Sequence, residues 1–494
     1  MTRRTCLASA LALGASGIAR AQDHAARRHV EINLSLGPDS LDPTTAPSAS
    51  IGEVVHYNIL EGLTKIEESG SVSPLLATAW EHDADGRSYS LRLREGVRFH
   101  DGKPFDSAAV RFSFERAAAA GSKNKSRRTL FDNIAHIATP DAYRVVLQLH
   151  HADANLPFRL GENPAVILHP DSAGQASRNP VGTGPYQLDQ WLPGERIALR
   201  RAARYRGAAQ LRMHSATYRF ISTPEAQEKA LQDGEVDLLY QFATRTVRRF
   251  QDDNRYQILV GASGGKCMVA LNNRRAPLND VRVRRAISHA IDREGFIRRA
   301  MDGRGTAIGS HFAPTDAGYI NLTSVYPYDP DRARALLKEA GVASPLRLRL
   351  AIPPTPYALI GGPVIAEYLG KVGIDCQLEN MSWTEWLAGP FAGKFDMTLI
   401  NHVEPLDYAI YTDPSYYFGY DSAVFRDLVQ RHALATNARE RQQLFVQMQR
   451  QLAYDAVNAW LYTPQIGIVL RKGLRGTWMN YPIFAHDIAA MWWE

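Results

Sequence analysis

The chain has 494 residues, of which 45% are hydrophobic and 22% charged, with a formal net charge of +6. That length exceeds what one core usually sustains, so two or three lobes are expected. The basic residues are interspersed with acids, a pattern that does not imply a nucleic-acid partner, and three cysteines do not support a cysteine-based metal site.

In chain order, Arg3 and Arg4 form a positive leader region, Leu7 to Ala19 an apolar stretch, and Ala19-Arg20-Ala21 a small-x-small cleavage site. The apolar stretch is about thirteen residues, short of the roughly 20 a bilayer span needs. Residues 1–21 therefore read as a cleaved secretory signal that delivers a soluble protein to the periplasm. Thr2-Arg3-Arg4 leaves twin-arginine export open beside the general route. Losing Arg3, Arg4 and Arg20 leaves a charge of about +3. Cys267 and Cys376 remain, both in strand-like contexts, and buried free thiols are a simpler reading than a disulfide.

Strands are expected at 30–36, 88–93, 144–149, 256–260, 266–271, 346–352 and 397–400. Helices are expected at 108–119, 224–233, 281–301, 329–340, 362–372, 422–436 and 438–455. Asp292 interrupts the 281–301 stretch as a second N-cap, followed by Glu294 in its first turn. Strands alternating with helices argue for an α/β arrangement with substantial parallel sheet.

The catalytic patterns fail on context. Gly261-Ala262-Ser263-Gly264-Gly265 has nucleophile-elbow spacing, but a strand-like run follows where a helix is required, so the segment reads as a turn or hinge. Gly265-Lys266 lacks the upstream glycine of a phosphate loop, and Gly303-Arg304-Gly305 misses dinucleotide spacing by one residue. His150 and His151 would point to opposite faces of a strand, and Glu67-Glu68 reads as solvated. No metal or cofactor is expected.

Five segments carry a family resemblance. Residues 74–115 combine an apolar cluster ending in Trp80, turns at Gly86, Gly96 and Gly102, and a helix from Ser107. Then come Gly182-Thr183-Gly184-Pro185-Tyr186, the 231–238 stretch, 272–297, and 328–341, where Asp329, Pro330 and Gly341 suit N-cap, N1 and C-terminal cap. In this order they resemble the extracytoplasmic solute-binding proteins of the peptide/nickel class, family 5, which serve ABC importers. The resemblance implies an α/β, bilobal periplasmic-binding-protein-like fold with an extra domain inserted in the first lobe. Lobe I would comprise 22–55, 176–262 and 468–494, the inserted domain 56–175, and lobe II 263–467. It also implies a monomeric, non-enzymatic receptor that closes on a small solute and delivers it to a membrane permease.

Within that resemblance the ligand loop falls at His402 to Tyr417. Glu404 and Asp407 are alternative anchors for a ligand's amine, His402 and Tyr411 lie beside them, and Trp383 and Trp386 could wall the cleft. Tyr57 is a further lining candidate. Thr355 stands where dipeptide-type members carry an arginine for the ligand's carboxylate, and Arg127 or Arg128 could substitute. The leading ligand is an oligopeptide or peptide-like amine. The alternatives are a nickel chelate or opine held by the same fold, with His402 contributing, and a secreted serine hydrolase acting at Ser263.

Overall fold

A computed structural model describes residues 27–46, 48–127, 129–241, 244–435 and 437–494. The expected signal peptide, residues 1–21, and Arg128 lie outside the described residues. Within them no helix is long and apolar enough to cross a membrane.

Two half-sheets join through one long strand. In the first, His29–Leu34 runs parallel to Ser215–Phe220 and to Leu238–Gln241, with Arg196–Arg201 and Tyr186–Leu192 antiparallel beyond. In the second, Leu346–Ile352 runs parallel to Ile374–Asn380 and Met397–His402, and Lys266–Leu271 pairs antiparallel with Met397–His402. The strand Ala459–Arg471 pairs with Lys266–Leu271 and Gly305–Ala307 through its first half, and with Leu238–Gln241 and Tyr256–Ala262 through its second. The result is a 12-stranded mixed sheet whose two halves carry separate cores, as a bilobal α/β molecule requires.

The first core takes residues from three stretches of chain: Val30 to Leu60, Val166 to Tyr240, and Ile466 to Trp493. It includes Tyr57, Ile59, Leu60, Val166 and Leu168, which the sequence division assigns to the inserted segment. A separate antiparallel sheet of Ala77–His82, Ser88–Leu93, Arg144–Leu149 and Ile134–Asp141 is covered by the helix Ser107–Ala118. Its core holds Tyr89, Phe99, Phe105, Phe114 and Phe131, while Trp80 is only partly buried at its edge and Phe112 packs on the first core. The helix starts where Asp106 accepts hydrogen bonds from the Ala108 and Ala109 amides, which satisfies two of its orphan donors.

The second lobe contains the helices Val281–Ala290 and Arg293–Ala300, separated at Asp292, whose side chain accepts from the Gly295 amide. In Pro330–Glu339, Asp329 accepts from the Arg332 amide, and Gly341 closes the end at φ +71°. Cys267 and Cys376 are both free thiols. Glu68 departs from its solvated reading, because its carboxylate accepts from the backbone amides of Met479 and Asn480 at 2.8 and 3.1 Å.

Candidate functional site

Between the lobes lies a cavity of about 810 Å³, within the range of small-molecule sites. Ala46 and Ser48 of the first lobe, Lys125, Arg159 and Glu162 of the inserted segment, and Arg304, Tyr357, His402 to Asp407 and Tyr416 of the second line it. Behind the 402–407 loop sits a buried polar network. Lys266, at 1% side-chain exposure, places Nζ 2.9 Å from Asp407 Oδ1 and also donates to the Glu404 carbonyl.

The same Asp407 oxygen accepts from His311 Nε2 at 2.8 Å, and Asp407 Oδ2 lies 3.2 Å from His402 Nδ1. His311 Nδ1 is 2.9 Å from the Tyr411 hydroxyl, which accepts from Asn458 Nδ2 at 3.2 Å. His402 Nε2 pairs with the Tyr417 hydroxyl at 3.0 Å. One tautomer set satisfies all of this: each imidazole donates to Asp407 and accepts from a tyrosine. Burial, outweighing the neighbouring Asp407, lowers the His311 pKa to about 4, so that ring is neutral. Burial would raise the Asp407 pKa, but His311 and Lys266 overcome it and hold the carboxyl well below its usual range.

His311, His402 and Asp407 bring one ligand atom each within 4.8 Å of one another. The chemistry of this set does not suit a metal ion. The Lys266 ammonium already holds the cation's place, and the imidazole nitrogens aimed at Asp407 carry protons rather than lone pairs.

The candidates are therefore distributed unevenly. His402, Glu404 and Asp407 meet at the cavity, but only Glu404 directs a carboxylate outward, with its side chain 51% exposed and Lys125 Nζ 4.0 Å away. Tyr411 is fully buried in the second lobe. Tyr57 is buried in the first, donating to the Gly161 carbonyl at 3.0 Å and accepting from the Ile66 amide at 2.8 Å. Trp383 is 43% exposed and stacks edge-on against Trp386, away from the cavity lining. Arg127 faces Asp132 at 3.4 Å.

Sequence reasoning missed Lys266, His311 and Glu162. Lys266 was the one signal on offer, a lysine opening an otherwise apolar strand. The Glu162 carboxylate takes no hydrogen bond among the described residues, and burial raises its pKa to about 7 against the opposing pull of Arg159 and Lys125. Among the described residues, Ser263 bonds through its hydroxyl to no titratable side chain. Its hydroxyl donates to the Pro464 carbonyl at 2.8 Å, so it ties together the two strands that cross between lobes.

A family model for bacterial extracellular solute-binding proteins, family 5 (middle), matches residues 71–422. The chain belongs to that family. The glutathione-binding protein GsiB of Escherichia coli (strain K12) is 26% identical over 345 residues, which covers 69% of this chain and 67% of GsiB. Among solved structures, HbpA2 from Haemophilus parasuis superimposes with a TM-score of 0.86 at 18% identity, covering 94% of this chain and all of that one. DppA from Helicobacter pylori, in complex with the peptide STSA, gives 0.76 at 23% identity over 94% of this chain and 98% of that one. At those identities the structures establish the shared fold. Family 5 members are solute-binding proteins, and that class of function accords with a cavity lying between the lobes.

Proposed function

We propose that the protein is the periplasmic receptor of an ABC importer, capturing a peptide or peptide-like solute by its amine. The carrying observation is the division of labour between two carboxylates on one loop. Asp407 is neutralised by Lys266 and fixes the loop, and Glu404 stands at the cavity with its nearest cation 4.0 Å away. A ligand ammonium entering the cleft would exchange for Lys125 beside Glu404, in surroundings of lower dielectric than water. The naming of related proteins as glutathione-binding supports the same ligand class. The receptor acts as a monomer, is exported through the cleaved leader, and hands its solute to an inner-membrane permease without chemical change. A hydrolase at Ser263 is disfavoured by the hydroxyl's engagement with Pro464.

Calorimetry of the mature protein against trialanine, trileucine and glutathione tests this, each with its N-acetylated counterpart. Binding is expected for at least one free amine and is lost on acetylation. Equal binding of acetylated and free forms, or no binding at all, refutes the proposal.

A further inference from the structure

The cavity wall carries a second, oppositely charged feature at the hinge side. Helix Arg293–Ala300 ends in two successive left-handed residues, Asp302 at φ +51° and Gly303 at φ +77°. A non-glycine residue there is uncommon and strained. The turn delivers Arg304 to the cavity lining, immediately before the short strand Gly305–Ala307 that pairs with Tyr462 to Pro464 of the crossing strand.

Arg304 forms no ion pair among the described residues. No carboxylate oxygen among the described residues comes within 4.0 Å of its guanidinium. Its Nε is buried without a hydrogen-bond partner. The charges that act on it are Arg248, which opposes its own, and Asp302. Glu404 and Glu162 are not among them, so the arginine lies apart from the acidic end of the cavity. Arg248 belongs to the helix Thr244–Arg249 of the first lobe, is exposed, and has no ion pair of its own among the described residues. A side chain at Gly467 would meet Val247 Cγ2 at 2.6 Å and Arg304 Nη1 at 3.6 Å, so the glycine leaves room beside the guanidinium.

A cavity-lining arginine whose Nε is buried without a partner, and which makes no ion pair among the described residues, is poised to take up an anion. A planar guanidinium also receives a carboxylate through two parallel hydrogen bonds. Burial and Arg248 both lower the Arg304 pKa, as expected for a cation lacking its counter-ion.

We propose that Arg304 is the site that receives the carboxylate of the bound solute. This inference rests on the peptide reading above and adds the ligand's polarity. The amine is held on the loop of Glu404 and the carboxylate beside the crossing strand, so the preferred solute is a zwitterion with its charges at separate ends.

The experiment uses the tripeptide that binds best in the panel above, as its free acid and as its C-terminal amide. Calorimetry would be run on wild type, Arg304→Gln, Arg304→Lys and Glu404→Gln. Wild type is expected to favour the acid by about tenfold or more. Arg304→Gln should bind acid and amide alike, Arg304→Lys should restore part of the preference, and Glu404→Gln should weaken both forms while keeping their ratio. An unchanged melting temperature in Arg304→Gln excludes a folding defect. An acid preference that survives Arg304→Gln, or a wild type that binds acid and amide equally, overturns this inference and leaves the amine reading intact. If no tripeptide binds, both fall together.

Discussion

Lys266 and Asp407 show how a charge pair can serve a binding site without touching the ligand. A buried ion pair is weak evidence for net stability, but removing one partner leaves the other charge buried and unmatched. Asp407→Asn is therefore expected to cost about 3–5 kcal/mol in urea unfolding, together with the order of the 402–407 loop, whose Leu406 already adopts φ +49°. Glu404→Gln, half exposed, should leave stability within about 0.5 kcal/mol while weakening amine binding. A stable Asp407→Asn that alone loses the ligand would reverse the two roles. The acid side follows from the same pairing. Because the folded Asp407 carboxyl titrates well below its ordinary range, its contribution is present above the unfolded value of 3.8 and lost as pH falls through the folded one.

Glu162 works in the opposite direction. With its pKa raised from 4.5 to about 7, the folded protein holds this proton more tightly than the unfolded chain. Its contribution is full below pH 4.5 and is lost as pH rises through about 7. Arg159 and Lys125 favour the charged form, and Asp153 and Glu404 oppose it. Glu53 behaves likewise, pushed to about 7 by burial alone. Buried His311, His432 and His486, all lowered to about 4, slope the other way. The measurement is therefore the difference between wild type and Glu162→Gln in unfolding free energy across pH 5 to 7.5. Wild type should lose stability relative to the variant as pH rises, and a flat difference would show that Glu162 ionises normally.

Among the elements, the Gly182-Thr183-Gly184 turn explains why a short motif identifies the family. Neither glycine adopts positive φ. A Cβ at Gly182 would lie 1.9 Å from the Ile59 carbonyl oxygen, and one at Gly184 2.4 Å from that of Asn58. Thr183 donates to Glu61 at 2.8 Å, which also holds Arg206 bidentately at 2.6 and 2.8 Å. His100, from the 74–115 segment, donates its amide to the Gly182 carbonyl at 2.9 Å. Two segments distant in sequence thus meet where the inserted sheet joins the first lobe. Since the obstacle is backbone rather than a movable side chain, Gly182→Ala should destabilise the protein by about 2 kcal/mol or more in urea unfolding. A loss below about 0.5 kcal/mol would mean the turn can shift.

These elements also mark what could be read from the chain. The strands Ser88–Leu93, Arg144–Leu149, Lys266–Leu271 and Leu346–Ile352 match their expected bounds, because alternation and flanking turns are local. The helix expected from Gly362 begins instead at Pro356. Gly361, Gly362 and Pro363 obscured its start, although tight packing of the two glycines against Phe296 and Ile352 favours small residues there. At the site, the 402–417 loop was legible as a place, but the states of its residues were not. Which carboxylate is free depends on Lys266 and His311, about a hundred or more residues upstream, and no local pattern encodes that pairing.

Across the whole molecule, few segments cross between the two half-sheets. The segment 262–266 and the middle of Ala459–Arg471 carry the chain between the half-sheets, and they are bonded to each other. The Ser263 amide and hydroxyl both reach the Pro464 carbonyl, at 3.2 and 2.8 Å, and Thr463 Oγ1 donates to the Ser263 carbonyl at 2.8 Å. A third strand of support comes from Asn480, whose side chain accepts from the Ala262 amide at 2.9 Å. Beside these bonds, few side chains among the described residues link the segment around the four-stranded antiparallel sheet directly to the second lobe. Asn155 donates to the Tyr408 hydroxyl, Arg441 lies 3.4 Å from His82, and Lys125 faces Glu404. Ligand bridging Glu404 and the opposite wall would add contacts that only the closed arrangement makes, so binding and closure are coupled through the same free energy. At a tripeptide concentration of 100 times Kd the unfolding free energy should rise by about 2.7 kcal/mol, and small-angle scattering should show a smaller radius of gyration. Stabilisation without contraction would mean that the ligand occupies an already closed cleft, and that the bonds between Ser263 and Pro464 hold a fixed frame rather than a hinge.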